Sequence, residues 1–176
     1  MGPYPGGAAG RSVVRAGSDR RTATGEPNRV MNAHDGFDEL GRQESLRLLS
    51  RAPVGRVIHT RRALPAVLPV RFCLDGDSAV VLRAPARSEL VRALDGVVVA
   101  FEVDEMDAGA RVGWSVVVTG RATVVTSPDE HERLSRTGPR SWAAPPGDAD
   151  EVFVRIEPEL VTGRELTRGR GARVTP

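Results

Sequence analysis

Apolar and polar positions alternate with a period of two over most of the chain from residue 54 to residue 163, the pattern of strands that bury one face. VGRVIHT at 54–60 opens the series, and LPAVLPVRFCLD at 64–75 follows. In the second segment Leu68, Val70, Phe72 and Leu74 share one face, with Val67, Pro69, Arg71 and Cys73 on the other. DGD at 75–77 predicts a hairpin turn in which Gly76 takes a positive φ. AVVLRA at 79–84 and VVVAFEVDEM at 97–106 are the next two strands, the latter with Val97, Val99, Phe101 and Val103 on one face.

RVGWSVVVTGRATVVT at 111–126 continues the alternation, with Val112, Trp114, Val116, Val118, Ala122 and Val124 on one side. Sixteen residues at about 3.3 Å each would make a ribbon of roughly 53 Å, far longer than a usual strand. It must bend, and Gly113 and Gly120 are where a bulge or corner costs least. EVFVRIEPELVTG at 151–163 is the last strand. Three short segments change period to that of a helix: Arg42 to Arg51, Ala86 to Leu94, and Pro128 to Arg136. Ser127 followed by Glu130 gives the third a capping box. Six strands, mostly joined as hairpins and accompanied only by short helices, predict a mainly β fold closed into a small antiparallel barrel.

The ends lack this pattern. Residues 1–35 are rich in Gly, Pro, Ala and Arg without a sustained period, and 167–176 are similar, so both are expected to be flexible arms around one domain at 36–166. Met31 is an alternative start of translation. The chain contains no lysine, so any anion site must use Arg or backbone N–H groups. Residues 1–35 hold five Arg against three acids and residues 163–176 four against one, which leaves the body at −3 within a total of +2. Basic charge confined to the ends argues against a nucleic-acid face. No run approaches the roughly 18 apolar residues of a membrane span. One cysteine, Cys73, permits no internal disulfide, and a cytoplasmic protein is expected.

His34, His59 and His131 have no metal-ligand spacing with each other or with Cys73, so no metal site is expected. No G-x-S-x-G turn accompanies the serines. The carboxylates of FEVDEMD fit a solvated strand end. Trp142 in PRSWAAPPGD reads as a loop plug, and Trp114 either fills the core or offers a flat face to a flat ligand.

The motifs VGRV at 54–57, PAVLPVRF at 65–72, DGD at 75–77, the Arg83 to Leu90 pattern R-x-x-x-x-S-x-L, FEVDEMD at 101–107, GWSVVVTGRA at 113–122 and VRIEPELVTGR at 154–164 occur in one order. In that order they resemble the pyridoxamine 5′-phosphate oxidase-like, FMN-binding split-barrel family of actinobacterial type. The resemblance covers residues 40 to 166 and implies a six-stranded antiparallel split β-barrel with short flanking helices. It also implies a homodimer with two FMN sites at its interface, and a flavin-dependent oxidoreductase acting on a small-molecule substrate or electron acceptor.

FMN presents a dianionic phosphate and a flat ring. The phosphate cradle is expected at RAPARSEL, with Arg83, Ala84, Arg87 and Ser88 where a strand hands over to a helix. The family commonly has Lys where this chain has Glu89, a carboxylate that would repel phosphate there; the same stretch also reads as an ordinary helix start. The ring wall is expected from Val57, Pro69 and Val70 and from Trp114, Ser115 and Val116, with His59 toward the pyrimidine end. A deazaflavin coenzyme, haem, or a barrel that holds no cofactor and serves as an interaction module are the alternatives. The catalytic residues are not legible.

Overall fold

The computed structural model describes residues 37–76, 78–140 and 150–166. The two arms, His34, Met31 and Trp142 lie outside these residues.

Seven strands and three helices follow in the order β1 (Phe37–Leu40), α1 (Arg42–Leu49), β2 (Val54–Arg61), β3 (Leu64–Asp75), β4 (Ala79–Pro85), α2 (Glu89–Leu94), β5 (Val98–Asp107), β6 (Val112–Val124), α3 (Pro128–Thr137) and β7 (Glu151–Leu166). All pairings are antiparallel in one sheet, ordered β1-β7-β4-β3-β2-β5-β6, and a β7–β6 pairing closes six of the strands into a ring. The fold is therefore the mainly β split barrel that the alternation and the resemblance imply. β1 is an addition that the period did not reveal. It lies beside the last four residues of β7, pairing Phe37 with Leu166 and Leu40 with Gly163. Four residues of FDEL are too few to establish a period.

One face of each strand fills the barrel. Val57, Val70, Phe72, Val80, Leu82, Ala84, Val99, Phe101, Val103, Val116, Val118, Ala122, Val154 and Ile156 form the main core, and the Phe72 and Phe101 rings meet edge to face at 4.7 Å. A smaller cluster of Val81, Val125, Leu134 and Phe153 lies on the outward side of β4 and β7 beneath α3.

Two expected backbone features are present. Gly76 has φ of 59°, and the β6–β7 register shifts between Thr119 and Gly120. A Cβ at Gly120 would come within 1.8 Å of the Glu157 carbonyl oxygen, so only glycine lets the long ribbon cross its neighbour there. Ser127 caps α3 by accepting from the Glu130 N–H at 3.4 Å. The return arm of the capping box is not made, because the Glu130 carboxylate accepts instead from Arg155 Nε at 2.9 Å.

Candidate functional site

The residues expected to bind a ligand fall into three places. The first is the junction of β4 with α2. Alternation puts Val80, Leu82 and Ala84 into the main core and turns Val81 and Arg83 outward, toward α3 and β7. Arg83 pairs across the ladder with Phe153, and its guanidinium carbon stands 5.3 Å from the centre of that ring. Its Nε is 2.7 Å from Glu151 Oε2. The contact is close but misaligned: Arg83 Nε makes no hydrogen bond, and Glu151 Oε1 is likewise buried without a partner. Two turn residues lead from Pro85 to Ser88, where the Oγ caps α2 by accepting from the Val91 N–H at 3.2 Å. Arg87 is exposed, with only a loose 3.5 Å contact to Asp150. Arg83, Arg87 and Ser88 thus follow one another along this junction with Arg83 turned outward, whereas Ala84, expected in the same cradle, is buried in the main core. Each of the two arginines faces a carboxylate, Glu151 and Asp150, and α2, with only six residues and Glu89 in its first turn, adds only a small dipole.

The second place is β6. Trp114 is half-buried and packs against the main core, beside fully buried Val116. Ser115 points to the other face, its hydroxyl 3.4 Å from Glu102 Oε1. Ser115 pairs with Arg164 of β7, whereas Arg83 pairs with Phe153 of the same strand. Eleven residues of strand separate those positions, on the order of 30 Å. One chain therefore does not gather the β4 arginines and the β6 segment around one point.

The third is the β2–β3 hairpin. Val57 and Val70 point into the core, fully and almost fully buried, while Pro69 is exposed on the outward face. Beyond Val57 the core-side alternation continues through His59 and Arg61, and α2 covers that end of the hairpin. A half-open recess of about 190 Å³ results, lined by His59, Arg61, Ala66, Val67, Leu68, Glu89 and Leu90. The His59 Nδ1 is buried with no hydrogen-bond partner. Glu89 is not a free repelling charge, because Arg61 Nε donates to its Oε1 at 2.5 Å. Arg61 did not figure in the expected site. The period-two spacing of Val57, His59 and Arg61 carried the signal; that α2 would fold over them was not legible.

Away from these places, Asp75, Arg133, Arg155 and Glu130 form a charged cluster. Arg133 donates to both Asp75 oxygens, at 2.5 and 2.9 Å, and Arg155 donates to Asp75 Oδ2 and to Glu130. Hydrogen bonding from Arg133, and then from Arg155, holds the Asp75 carboxyl down to about 2. Burial, followed by the Asp75 charge, pushes the Cys73 thiol up, which makes it a poor nucleophile. No group of three or more His, Cys, Asp or Glu suited to a metal occurs among the described residues.

Comparison with known proteins gives a consistent picture. Residues 41–165 match the family model described as pyridoxamine 5′-phosphate oxidase. An uncharacterized protein of Mycobacterium tuberculosis is 46% identical over 129 residues, covering 71% of this chain and 82% of its own. A conserved protein of unknown function from Corynebacterium diphtheriae superposes with a TM-score of 0.63 at 32% identity, covering 76% of this chain and 100% of the other. The FAD binding protein from Mycobacterium smegmatis superposes with a TM-score of 0.60 at 27% identity, covering 72% and 96%. No helix among the described residues is long and apolar enough to cross a membrane.

Proposed function

The chain belongs to the pyridoxamine 5′-phosphate oxidase family, and from that premise we propose that it binds a flavin nucleotide as a homodimer and works as a cytoplasmic flavin-dependent oxidoreductase on a small molecule. The observation that carries this reading is Arg83. It is held on an outward face by the Phe153 ring and a misaligned carboxylate. A guanidinium so placed is short of hydrogen bonds and suits a phosphate better than it suits Glu151. Arg87 adds a second, exposed positive charge, and Ser88 fixes the turn between them. The likeness to the mycobacterial FAD binding protein supports a flavin, and the unit proposed is the flavin mononucleotide moiety that FMN and FAD share.

Pro69, with the backbone of Val57 and Val70, supplies the near wall for the ring. The β6 segment of Trp114, Ser115 and Val116 is too distant within one chain, so a partner subunit is proposed to bring it. A symmetric pair of subunits makes such a completion reciprocal. The outward face offers the surface. Val67, Ile58, Ala100, Thr119 and Leu160 lie in one register row across five strands. Val67 is 57% exposed, Leu160 56% and nearby Val98 52%. An apolar belt of this kind is the usual mark of an interface. When bound, the flavin supplies hydride or electron transfer, and the protein supplies charge, orientation and shelter.

The test is the visible spectrum of the purified protein, followed by titration with FMN and with FAD. Flavin absorbance or saturable binding of either is the expected result, and the tighter of the two identifies the nucleotide. A colourless protein that binds neither would leave the second reading, a dimer without flavin, which the acidic Glu151 beside Arg83 favours. A Soret band would point to haem instead.

A further inference from the structure

Four arginines stand on the outer face of the barrel around the proposed flavin site, and they differ in what they meet. Arg56 donates to Asp104, Arg83 lies against Glu151 and Arg87 against Asp150. Arg71 makes no hydrogen bond or ion pair among the described residues. Its direction follows from alternation: Val70 and Phe72 point into the core, so Arg71 between them points out, with Val54 of β2 as its ladder partner. Pro69, the wall proposed for the flavin ring, lies on the same face of β3, two residues and about 7 Å away.

On its other side Arg71 has Arg83. The β3–β4 ladder ends with Phe72 opposite Leu82, so the next position along it sets Arg71 beside Arg83, both on the outer face. Like charges opposite each other on a sheet are destabilising. Glu151 does not relieve the opposition, because it belongs to β7, on the far side of β4 from β3, and reaches Arg83 at Nε. The terminal nitrogens of Arg83 make no hydrogen bond among the described residues, and its side chain is 27% exposed, so the guanidinium is open to a ligand. Arg71, Arg83 and Arg87 against Asp150 and Glu151 leave one positive charge in excess, and Arg71 is the member without a carboxylate.

We propose that Arg71 is a phosphate-binding residue and that the phosphate of the bound flavin sits between Arg71 and Arg83. A dianion there turns a like-charge opposition into two charge-assisted pairs, and two planar forks on either side of it match phosphate oxygens. The interval from Pro69 to Arg71 suits the ribityl chain that separates the ring of a flavin nucleotide from its phosphate. Arg71 thereby joins the β4 cradle to the β3 wall, which the cradle arginines alone do not do. The identity of the ligand rests on the flavin reading; the anion site itself rests on the β3–β4 register and the charge balance.

The experiment compares the full-length protein with Arg71→Gln in three titrations: FMN, riboflavin, which lacks the phosphate, and inorganic phosphate followed by 31P NMR and by melting temperature. Arg71→Gln should raise the Kd for FMN about tenfold, the scale of one charge-assisted contact, and leave that for riboflavin within about twofold. It should also abolish the rise in melting temperature that inorganic phosphate gives the parent. Arg71→Lys, which keeps the charge without the fork, should recover FMN binding to within about threefold of the parent. The side chain is exposed, so the variants should fold, and in phosphate-free buffer Arg71→Gln should melt no lower than the parent because the opposition to Arg83 is gone. Arg136→Gln, which removes an exposed charge on α3, should change none of the three titrations. FMN binding that ignores Arg71→Gln, equal losses of FMN and riboflavin, or a parent that responds to neither FMN nor phosphate would each overturn the proposal. A protein that holds inorganic phosphate through Arg71 yet binds neither flavin would keep the anion site and end the flavin reading, whereas FMN binding independent of Arg71 would do the reverse.

Discussion

Two arginine–carboxylate groups flank α3 and differ in how well they are satisfied. In the Asp75 cluster both carboxylate oxygens accept from guanidinium groups, and Glu130 ties the same arginine to α3. In the Arg83–Glu151 pair the atoms are close, yet one nitrogen and one oxygen are buried without hydrogen bonds. The first is a clamp that docks a helix whose only fully buried apolar side chain is Leu134. The second is poor as a clamp, which is why we assign it to ligand binding. A polar network with every member matched rigidifies the fold, whereas a half-matched one persists at a net cost unless something else completes it.

The largest effect should come from breaking the matched cluster. Asp75→Asn should lower unfolding free energy by about 2 kcal/mol, the scale of losing charge-assisted hydrogen bonds at a mostly buried site, as read from the urea midpoint. Arg133 and Arg155 would then repel each other over an uncharged amide.

Acid should reproduce part of that loss. Asp75 has a folded pKa of about 2, below its ordinary 3.8, so its contribution is complete above about pH 4 and disappears as pH falls toward 2. A plot of melting temperature against pH should drop across that window in the parent protein, and the drop should be smaller in Asp75→Asn. Identical slopes for the two proteins would remove the clamp from the account.

Next comes the unmatched pair. Arg83→Ala should weaken flavin binding at least about tenfold, the value of a charge-assisted phosphate contact, with a stability change under about 1 kcal/mol. A large fall in stability with unchanged flavin affinity would instead make Arg83 a second clamp. The smallest effect is expected from Glu151→Gln. Removing a carboxylate that competes with phosphate should tighten FMN by about threefold and alter stability by less than about 1 kcal/mol, because a misaligned ion pair contributes little to begin with.

The strands, their inward faces, the Gly76 turn, the Gly120 bend and the Ser127 cap could all be read from residue order. Each depends on period two or on a single residue's backbone preference, and such local rules act within a few positions. β1 escaped because four residues carry no period. The candidate site was legible only where its proposed members are sequence neighbours, as from Arg83 to Ser88. Trp114 was ambiguous between core and ligand because alternation places it on the valine face without saying how deep that face lies; the fold half-buries it against the core.

By itself, then, the sequence determined that this chain closes a barrel and carries arginine as its sole strong cation, since hydrophobic alternation and composition are properties of the chain alone. The tertiary structure decided the pairings across it. It set Glu89 of α2 against Arg61 of β2, Arg83 of β4 against Glu151 of β7, and Asp75 of β3 against α3. Charges 28 to 80 residues apart meet only after the chain has closed, and whether their hydrogen bonds align depends on fractions of an ångström that no residue order encodes.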